Sequence, residues 1–356
     1  LIGRGISPVI LDAADRPAAS WRARHPQLHL NTHRRLSHMP GRRFDAEAGA
    51  FPARDAVIRY IEDYEADLGI RVRRGVRAEK VQREAGGWAV ETSAGPMAAR
   101  HLIIATGPDR VPVVPDWPGA DTFEGELIHA RDFGRVEDCD GKRVLLVGAG
   151  NSSVDIANHL SCRQPEQVWM SVRGGATVAP VYVLGVPTHL LTPALRHLPA
   201  GLMDRGLALL SRLVCGDLTR FGLPGPVQGA LARIHEDGSP PALDNGFAQA
   251  VRAGDIEIVP EIAAFDGPRV RLQNDSVISP DLVICGTGYR PGLEPLVGHL
   301  DVLDDRGEPQ FSGLETSPGH DGLWFFGFRN SLWGNLNERR REASRLATTI
   351  GQGTGT

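Results

Sequence analysis

The sequence predicts an α/β fold made of two related units, each a parallel sheet flanked by helices. The first observation is an apolar strand, a glycine-rich turn and a helical stretch in direct succession, at Val144–Val147, GAG and Asn151–Leu160. The second is a strand followed by Thr-Gly, which occurs twice, at 102–107 and at 282–288. Strand, glycine turn and helix are typical of a nucleotide-binding βαβ unit. Because the order is repeated, we predict two Rossmann-like dinucleotide-binding domains rather than one long domain.

The first predicted strand of the chain ends at an acidic residue. Leu1–Gly5 has the pattern of a last helical turn stopped by glycine, and Ile6–Leu11 is an apolar strand closed by Asp12. An acid at the end of the second strand of a βαβ unit commonly holds the ribose hydroxyls of a dinucleotide. Such a unit opens with a strand and a G-x-G-x-x-G loop, and neither stands before Leu1. We therefore expect the first strand and the phosphate loop of this unit to be missing from the sequence.

The mid-chain loop predicts a second dinucleotide site. Gly148 permits the tight turn after the strand, and Gly150 lets the backbone approach a pyrophosphate. Ser153 stands where a third glycine usually allows close packing of helix on strand. The helix N-terminus, at Asn151 and Ser152, offers unpaired N–H groups and the positive end of the helix dipole to phosphates. The alternative is a purely structural turn.

The strand after this helix indicates which dinucleotide binds. Val168–Val172 ends at Arg173, roughly 20 residues beyond the loop, where NAD sites place an acid for the ribose 2′-hydroxyl. An arginine there would bind a 2′-phosphate through charge-assisted hydrogen bonds, and Ser171 could add a hydroxyl. This pattern favours NADPH over NADH. The alternative is an exposed arginine at a strand end.

Composition excludes several other classes. A net charge of −4 gives no basic excess of the kind that nucleic-acid binding requires. Gly174–Leu195 carries no charged residue, but its three prolines argue against a membrane-spanning helix. The cysteines have no C-x-x-C or metal-ligand spacing, which favours reduced thiols in a cytoplasmic protein. They are Cys139, Cys162, Cys215 and Cys285.

Other polar groups receive ordinary structural interpretations. We expect Asp155 to serve the dipole of the predicted helix, and the stretch ERRREASR at 338–345 to form a solvated helix face. No acidic partner at metal spacing accompanies the histidines of the segment LHLNTHRRLSH, so no metal site is predicted there. These histidines are His29, His33 and His38.

The chain resembles a known family at several motifs in the same order. FEGELIHARDF, from Phe123 to Phe133, matches F-x-G-x-x-x-H-x-x-x-[YF], the identifying motif of flavin-containing monooxygenases. ATG followed by prolines, GAGNS, SVR and TGYR occur in that family in the same order. VLGVPT, GDLTRFGLPGP and GLWFFGF are similar to stretches of YUCCA-type and related bacterial members. The related Baeyer–Villiger monooxygenases usually have Trp in place of Phe133 and remain an alternative.

This resemblance implies that an NADPH domain is inserted into an FAD domain. The first part of the FAD domain would span residues 1–137, the NADPH domain 138–284, and the second part of the FAD domain 285–356. His129 of the motif would form a hydrogen bond at the junction of the domains. A homodimer is an open alternative to a monomer.

The resemblance also assigns residues to the cofactors. Asp12 matches the acid at the adenosine ribose of FAD, and Trp21 matches the tryptophan that follows the second strand. Gly107 and Gly327 would approach FAD, and Asn31, the candidate catalytic residue, would point toward the isoalloxazine ring. Three residues of the TGYR stretch complete the predicted cofactor-binding set, namely Thr287, Gly288 and Tyr289.

The chemistry implied is that of the cofactors. NADPH would reduce FAD, O₂ would add at flavin C4a to give a hydroperoxide, and one oxygen atom would pass to a small organic substrate. YUCCA-type similarity favours oxidative decarboxylation of an α-keto acid such as indole-3-pyruvate, while soft nitrogen or sulfur nucleophiles are the broader alternative. Arg196 and Arg220 are candidates to neutralise a substrate carboxylate, although surface ion pairs explain them equally well.

Two further alternatives belong to different classes. A non-catalytic NADP-binding protein that has lost its FAD site would keep the loop at Gly148. A pyridine-nucleotide disulfide reductase shares the architecture, but it needs a redox-active cysteine pair that the sequence lacks.

Overall fold

A computed structural model describes residues 1–191, 198–331 and 333–353. The helices of these residues are α1 (Ala19–Arg22), α2 (Arg54–Asp67), α3 (Asn151–Leu160), α4 (Ala200–Val214), α5 (Ala230–Asp237), α6 (Phe247–Ala253), α7 (Glu294–Val297) and α8 (Asn335–Gly353). The strands are β1 (Ile10–Asp12), β2 (Val72–Arg74), β3 (Ala78–Glu84), β4 (Gly87–Thr92), β5 (Met97–Ala99), β6 (Leu102–Ile104), β7 (Val111–Pro112), β8 (Glu126–His129), β9 (Arg143–Val147), β10 (Gln167–Ser171), β11 (Val178–Pro180), β12 (Tyr182–Val183), β13 (Val186–Pro187), β14 (Ala242–Asp244), β15 (Glu257–Val259), β16 (Ile262–Asp266), β17 (Arg269–Leu272), β18 (Val277–Ile278), β19 (Leu282–Cys285), β20 (Tyr289–Arg290) and β21 (Leu323–Phe325).

A five-stranded parallel sheet forms the centre of the second unit, in the order β15-β10-β9-β19-β8. Its middle strands, β9 and β19, are nearly continuous apolar runs because helices cover one face and the β16–β18 meander covers the other. Leu145 and Ile284 are completely buried there. The predicted strand at Val144–Val147 and the predicted helix at Asn151–Leu160 are therefore confirmed.

Strands of the first unit pair in smaller groups. β1 pairs with β2 and β6 pairs with β21, both in parallel, while β3, β4 and β5 form an antiparallel meander. The apolar core of this unit joins the meander to β6 and β21 through Trp88, Ile104 and Phe325. The strand predicted at Ile6–Leu11 is shorter than expected, since only Ile10–Asp12 pairs. As predicted, the short helical turn before it stops at a glycine, Gly5, with φ of +74°.

The chain crosses between the units twice, and the two crossing segments pair with each other. Along the chain, β7 stands between β6 of the first unit and β8 of the second. β20 follows β19 of the second unit, where the chain returns to the first unit. Tyr289 pairs with Pro112 and Arg290 with Val111, in antiparallel register. The parallel sheets and the double crossing confirm the predicted architecture of two Rossmann-like domains.

The described part of the stretch Gly174–Leu195, up to Leu191, is only partly buried, contrary to its apolar composition. Val178 of β11 is buried, but Leu184, at the turn between β12 and β13, is 99% exposed. α4 follows this stretch, and Met203 is its buried residue. Among the described residues, no helix is long and apolar enough to cross a membrane.

Candidate active site

The glycine loop between β9 and α3 presents an uncapped helix N-terminus. Gly148 has φ of +90°, a conformation that favours glycine, and Gly150 is the N-cap residue of α3. A Cβ on Gly150 would meet no atom within 4 Å, and no side chain caps the helix. The first-turn N–H groups at Asn151 and Ser152 therefore lie at the positive end of the dipole without a side-chain partner. This geometry fits the diphosphate of NADPH.

Ser153 packs beneath the loop rather than facing it. Its side chain is buried, and its hydroxyl donates a hydrogen bond of 3.0 Å to the carbonyl of Val147. A Cβ on Gly286 would overlap the Ser153 hydroxyl, and a Cβ on Gly148 would lie 3.0 Å from the Gly286 carbonyl oxygen. The close packing predicted for Ser153 is thus present. Sequence reasoning missed its partner Gly286, although the CGTG spacing after β19 contains the signal.

Strand β10 ends beside this loop, at the same edge of the sheet. The N–H of Gly148 donates to the carbonyl of Ser171 at 2.8 Å. The Ser171 hydroxyl is buried and donates to the Pro260 carbonyl at 2.9 Å. Contrary to the sequence expectation, it is therefore not available to bind a phosphate. Arg173 is exposed, just after the end of β10. Its guanidinium is therefore free to bind a 2′-phosphate.

Asp12 ends β1 as predicted, in a fixed orientation. One carboxylate oxygen accepts from the N–H of Ala14 at 3.0 Å, and the other lies 2.9 Å from the Arg74 guanidinium. The side chain is 41% exposed, which leaves lone pairs for ribose hydroxyls. Trp21 is half-buried on α1 and packs against a cluster that includes Leu30.

A cavity of about 450 Å³ lies between α1 and α2. Its first lining residue, Arg16, comes four residues after Asp12 in the sequence. Sequence reasoning missed it because its residues come from two separate segments. Its acidic side chains pair with two of its arginines, Glu62 with Arg22 and Asp55 with Arg54. The basic residues are Arg16, Arg22, Arg54 and Arg59, and the acidic ones are Asp55 and Glu62.

Two glycines mark the carboxyl edge of the pair β6–β21. Gly107 has φ of +79° with open space around a Cβ, and Gly327 has φ of +87°. The Gly327 carbonyl accepts a 2.8 Å hydrogen bond from Arg339 of α8. Asn31 is exposed, and its neighbour Thr32 lies within 3.5 Å of a Cβ built on Gly334, just before α8. The open space at Gly107 fits the close approach of a flavin dinucleotide, whereas a Cβ on Gly327 would lie 3.2 Å from Arg339 Nε.

Thr287, Gly288 and Tyr289 lie at the double crossing. The Thr287 hydroxyl donates to the carbonyl of Val113, and the Gly288 carbonyl accepts from His129 Nε2 at 3.0 Å. The Tyr289 hydroxyl accepts from Arg24, whose guanidinium lies 4.6 Å from the ring centroid. Thr287 thus joins the two crossing segments, Tyr289 ties the second crossing to the residue Arg24 after α1, and Gly288, with open space around a Cβ, is left to contact a cofactor.

His129 confirms the expectation of a hydrogen bond at the junction. Its ring packs edge-on against Tyr289 with centroids 4.8 Å apart, and burial lowers the pKa of His129 below its usual value. Of the other motif residues, Phe133 is buried and its ring packs against His25 of the first unit, whereas Phe123 packs on Phe265 of the β16–β18 meander with ring centroids 5.0 Å apart. The later half of the motif, at His129 and Phe133, therefore lies at the junction of the two units.

Within the described residues no group of three or more His, Cys, Asp and Glu side chains could hold a metal ion. Two sequence expectations about other polar groups have different outcomes. The expectation of a solvated face at 338–345 holds for Arg341, Ser344 and Arg345, which are exposed. It does not hold for Arg339, which is only 17% exposed, or for Arg340, which contacts His38. Asp155 does more than serve the helix dipole, since it lies 3.2 Å from His25.

The cysteines are free thiols, as predicted. Burial raises the pKa of Cys285 to about 12 and that of Cys139 to about 11. Both thiols therefore stay protonated and unreactive at neutral pH. Cys162 is exposed but unpaired with another cysteine, so disulfide chemistry has no partner here.

Comparisons with known proteins agree with this geometry. A sequence profile described as pyridine nucleotide-disulphide oxidoreductase matches residues 37–183. The indole-3-pyruvate monooxygenase YUCCA1 of Oryza sativa subsp. japonica is 31% identical over 92% of this chain and 82% of its own length. The probable indole-3-pyruvate monooxygenase YUCCA3 of Arabidopsis thaliana is 31% identical over 93% of this chain and 78% of its own length.

Solved structures share the fold. The flavin-containing monooxygenase of Stenotrophomonas maltophilia superposes with a TM-score of 0.72 at 22% identity, covering 97% of this chain and 92% of that one. An open crystal structure of cyclohexanone monooxygenase gives 0.74 at 17% identity, covering 99% and 84%. The motif, the two nucleotide edges and the relatives together show that the chain belongs to the flavin-containing monooxygenases, which are FAD- and NADPH-dependent oxidoreductases.

Proposed function

We propose that the chain catalyses the oxidative decarboxylation of an α-keto acid such as indole-3-pyruvate. NADPH and O₂ are consumed, one oxygen atom enters the carboxylic acid product, the other leaves as water, and CO₂ is released. The similarity to two proteins named as indole-3-pyruvate monooxygenases, over more than nine-tenths of this chain, supports this substrate class. This similarity carries the proposal, and the uncapped N-terminus of α3 in one unit and the open space at Gly107 in the other leave room for the two cofactors.

On this proposal, NADPH binds at the edge formed by β9, β10 and α3. Gly148 and Gly150 leave room for the diphosphate, the N–H groups at Asn151 and Ser152 bind it, and Arg173 binds the 2′-phosphate. Ser153 supports the loop by packing and Ser171 by its hydrogen bond to Pro260, so neither hydroxyl contacts the cofactor. These side chains hold NADPH and do not themselves react.

FAD would lie along the edge of the first unit. Asp12 binds the ribose hydroxyls, Trp21 supports α1, and Gly107 and Gly327 let the backbone approach the flavin. Asn31 is the polar side chain we assign to the isoalloxazine, and Thr287 and Tyr289 position Gly288 beside it. When bound, the reduced flavin supplies the activation of O₂. The residues around it exclude water and orient the substrate.

The domain bounds follow the same division. We propose a first FAD part at 1–137, an NADPH domain at 138–284 and a second FAD part at 285–356. The five-stranded sheet reaches past these bounds, because it includes β8 and Cys285. Counting whole strands therefore widens the NADPH domain at both ends.

Substrate-carboxylate binding by arginine has less support. Arg220 is 78% exposed and lies 3.6 Å from Asp217, the geometry of a surface ion pair. Arg196 lies outside the described residues. A cytoplasmic location remains our proposal, supported by four free cysteines.

A substrate panel tests the proposed function. The FAD-loaded protein is supplied with NADPH and O₂ and with α-keto acids, amines, sulfides and ketones in parallel. We expect indole-3-pyruvate or a related keto acid to accelerate NADPH consumption and to yield the acid shortened by one carbon. Turnover of amines or sulfides alone, or of ketones to esters, would replace the proposed substrate class.

A further inference from the structure

A buried cluster joins the two units beside α3. His25 is 6% exposed and belongs to the segment after α1, in the first unit. Its Nε2 lies 3.2 Å from Oδ2 of Asp155, and the second Asp155 oxygen lies 3.9 Å from Nε2 of His159. Asp155 and His159 are both on α3 of the second unit. An imidazole of one unit thus meets a carboxylate of the other.

Both partners are held in place by their own surroundings. The His25 ring packs edge-on against Phe133, with centroids 5.5 Å apart, and against His159 at 6.0 Å. The Gln27 amide, in the orientation that satisfies both of its contacts, donates to the Gly134 carbonyl at 3.2 Å and accepts from the Val136 N–H at 2.7 Å. The segment that carries His25 is therefore fixed on the chain just after the motif.

α3 is equally fixed within its own unit. Asn158 accepts from the N–H groups of Asn245 and Phe247 and donates to the carbonyl of Leu243, all between 2.9 and 3.0 Å. Asn151 donates to the Pro241 carbonyl at 3.1 Å. α3 and its glycine loop therefore move with the second unit as one body, and the His25–Asp155 contact ties that body to the first unit.

The cluster lies close to the phosphate end of the helix. Asp155 follows Asn151 by four residues, which places it about 6 Å along the helix axis. The Asp155 carboxylate is largely shielded, at 22% exposed, and His25 at 3.2 Å is a closer partner than His159 at 3.9 Å. Loss of the His25 ring would therefore leave this carboxylate with the more distant imidazole and loosen the contact between the units.

Given the proposed binding of NADPH at Gly148 and Gly150, we propose that His25 is a positioning residue. Through Asp155 it sets the orientation of α3, and so the position of the nicotinamide ring relative to the flavin. It contributes to flavin reduction and not to the affinity for NADPH, because its contact is with Asp155, about one helical turn beyond the N–H groups proposed to bind the diphosphate. A misplacement of 1 Å in such a geometry can cost on the order of 100-fold in rate.

The test measures reduction and binding separately. His25→Ala is expected to lower the rate constant of anaerobic flavin reduction at saturating NADPH at least tenfold, while the dissociation constant of NADP⁺ by calorimetry changes less than about threefold. Hydrogen exchange at residues 150–156 and at the crossing strands β7 and β20 should become faster. His29→Ala removes an exposed imidazole of the same segment, whose Nδ1 lies 2.8 Å from the Gln27 carbonyl oxygen, and as the matched control it should keep the reduction rate of the parent protein.

A second pair of variants keeps the test decisive. His25→Asn retains a side-chain donor and should reduce the flavin faster than His25→Ala but more slowly than the parent protein. If His25→Ala does not fold, the comparison of His25→Asn with the parent protein provides the test. His25→Ala and Asp155→Asn should be non-additive in a double-mutant cycle. Additive losses, unchanged reduction and exchange in His25→Ala, or weaker NADP⁺ binding with unchanged reduction would overturn the positioning role. If the parent protein binds no NADP⁺, the proposed function fails instead.

Discussion

At the scale of single residues, the phosphate loop depends on the absence of side chains at its two glycines. Gly148 adopts a positive φ that other residues rarely adopt, and Gly150 has ordinary backbone angles with open space around it. A side chain at Gly150 would therefore be tolerated by the fold and would intrude only on a ligand. This separates binding from stability at one position.

We expect Gly150→Val to raise the dissociation constant of NADP⁺ at least tenfold, because its side chain would occupy the path of the diphosphate. The free energy of unfolding should change by less than about 1 kcal/mol. Calorimetric titration measures the dissociation constant, and urea unfolding measures the free energy of unfolding. Gly206→Val, at an exposed position of α4, is the control. Unaltered affinity for NADP⁺ would place the diphosphate elsewhere.

Arg173 allows a test of cofactor choice. We expect Arg173→Ala to raise the KM for NADPH roughly tenfold or more, because a charge-assisted hydrogen bond contributes about 1.5–3 kcal/mol. The KM for NADH should change less than about twofold. Steady-state kinetics with both cofactors measures this, with Arg220→Ala as an exposed control. Equal losses with NADPH and NADH would show that Arg173 does not bind the 2′-phosphate.

At the scale of elements, β9, α3 and β19 pack around a point where only small residues fit. The Ser153 hydroxyl, the Gly148 loop and the Gly286 backbone are in direct contact. Interiors are close-packed, so an added methyl group there must displace backbone or a hydrogen bond. This contact holds the carboxyl edge of the sheet against the helix that carries the phosphate site.

We expect Gly286→Ala to destabilise the protein by about 1–3 kcal/mol, the usual cost of overpacking a core. Urea unfolding measures the loss, and Gly206→Ala, in an exposed helix interior, should be neutral or stabilising. Adding Ser153→Gly should recover part of the loss by removing the overlapping side chain. A Gly286→Ala protein as stable as the parent would show that the loop can shift to accommodate the added methyl group.

At the scale of the whole molecule, local patterns were predictable and long-range contacts were not. The helix at Asn151–Leu160 was predictable because the apolar period and the glycine loop lie within one short stretch. The role expected for Ser171 was wrong, because the direction of its hydroxyl depends on Pro260, far along the chain. The contact of Asp155 with His25 was missed for the same reason, since the two residues lie in different units.

The motif from Phe123 to Phe133 shows what a resemblance adds. Nothing in its composition indicates a junction, yet His129 binds the Gly288 carbonyl and Phe133 packs on His25. The paired strands β7 and β20 complete that junction. The two units are thus joined by side chains that only the fold brings together, and the position of one cofactor site relative to the other depends on them.

Oxygen transfer tests the central claim most directly. The FAD-loaded protein is incubated with NADPH, indole-3-pyruvate and ¹⁸O₂, and the ¹⁸O content of the product is measured by mass spectrometry. We predict one ¹⁸O atom in the indole-3-acetate formed, together with release of CO₂ and oxidation of one NADPH per product. A protein that binds NADPH but takes up no FAD, or a product that contains no ¹⁸O, would contradict the assignment as an FAD- and NADPH-dependent monooxygenase.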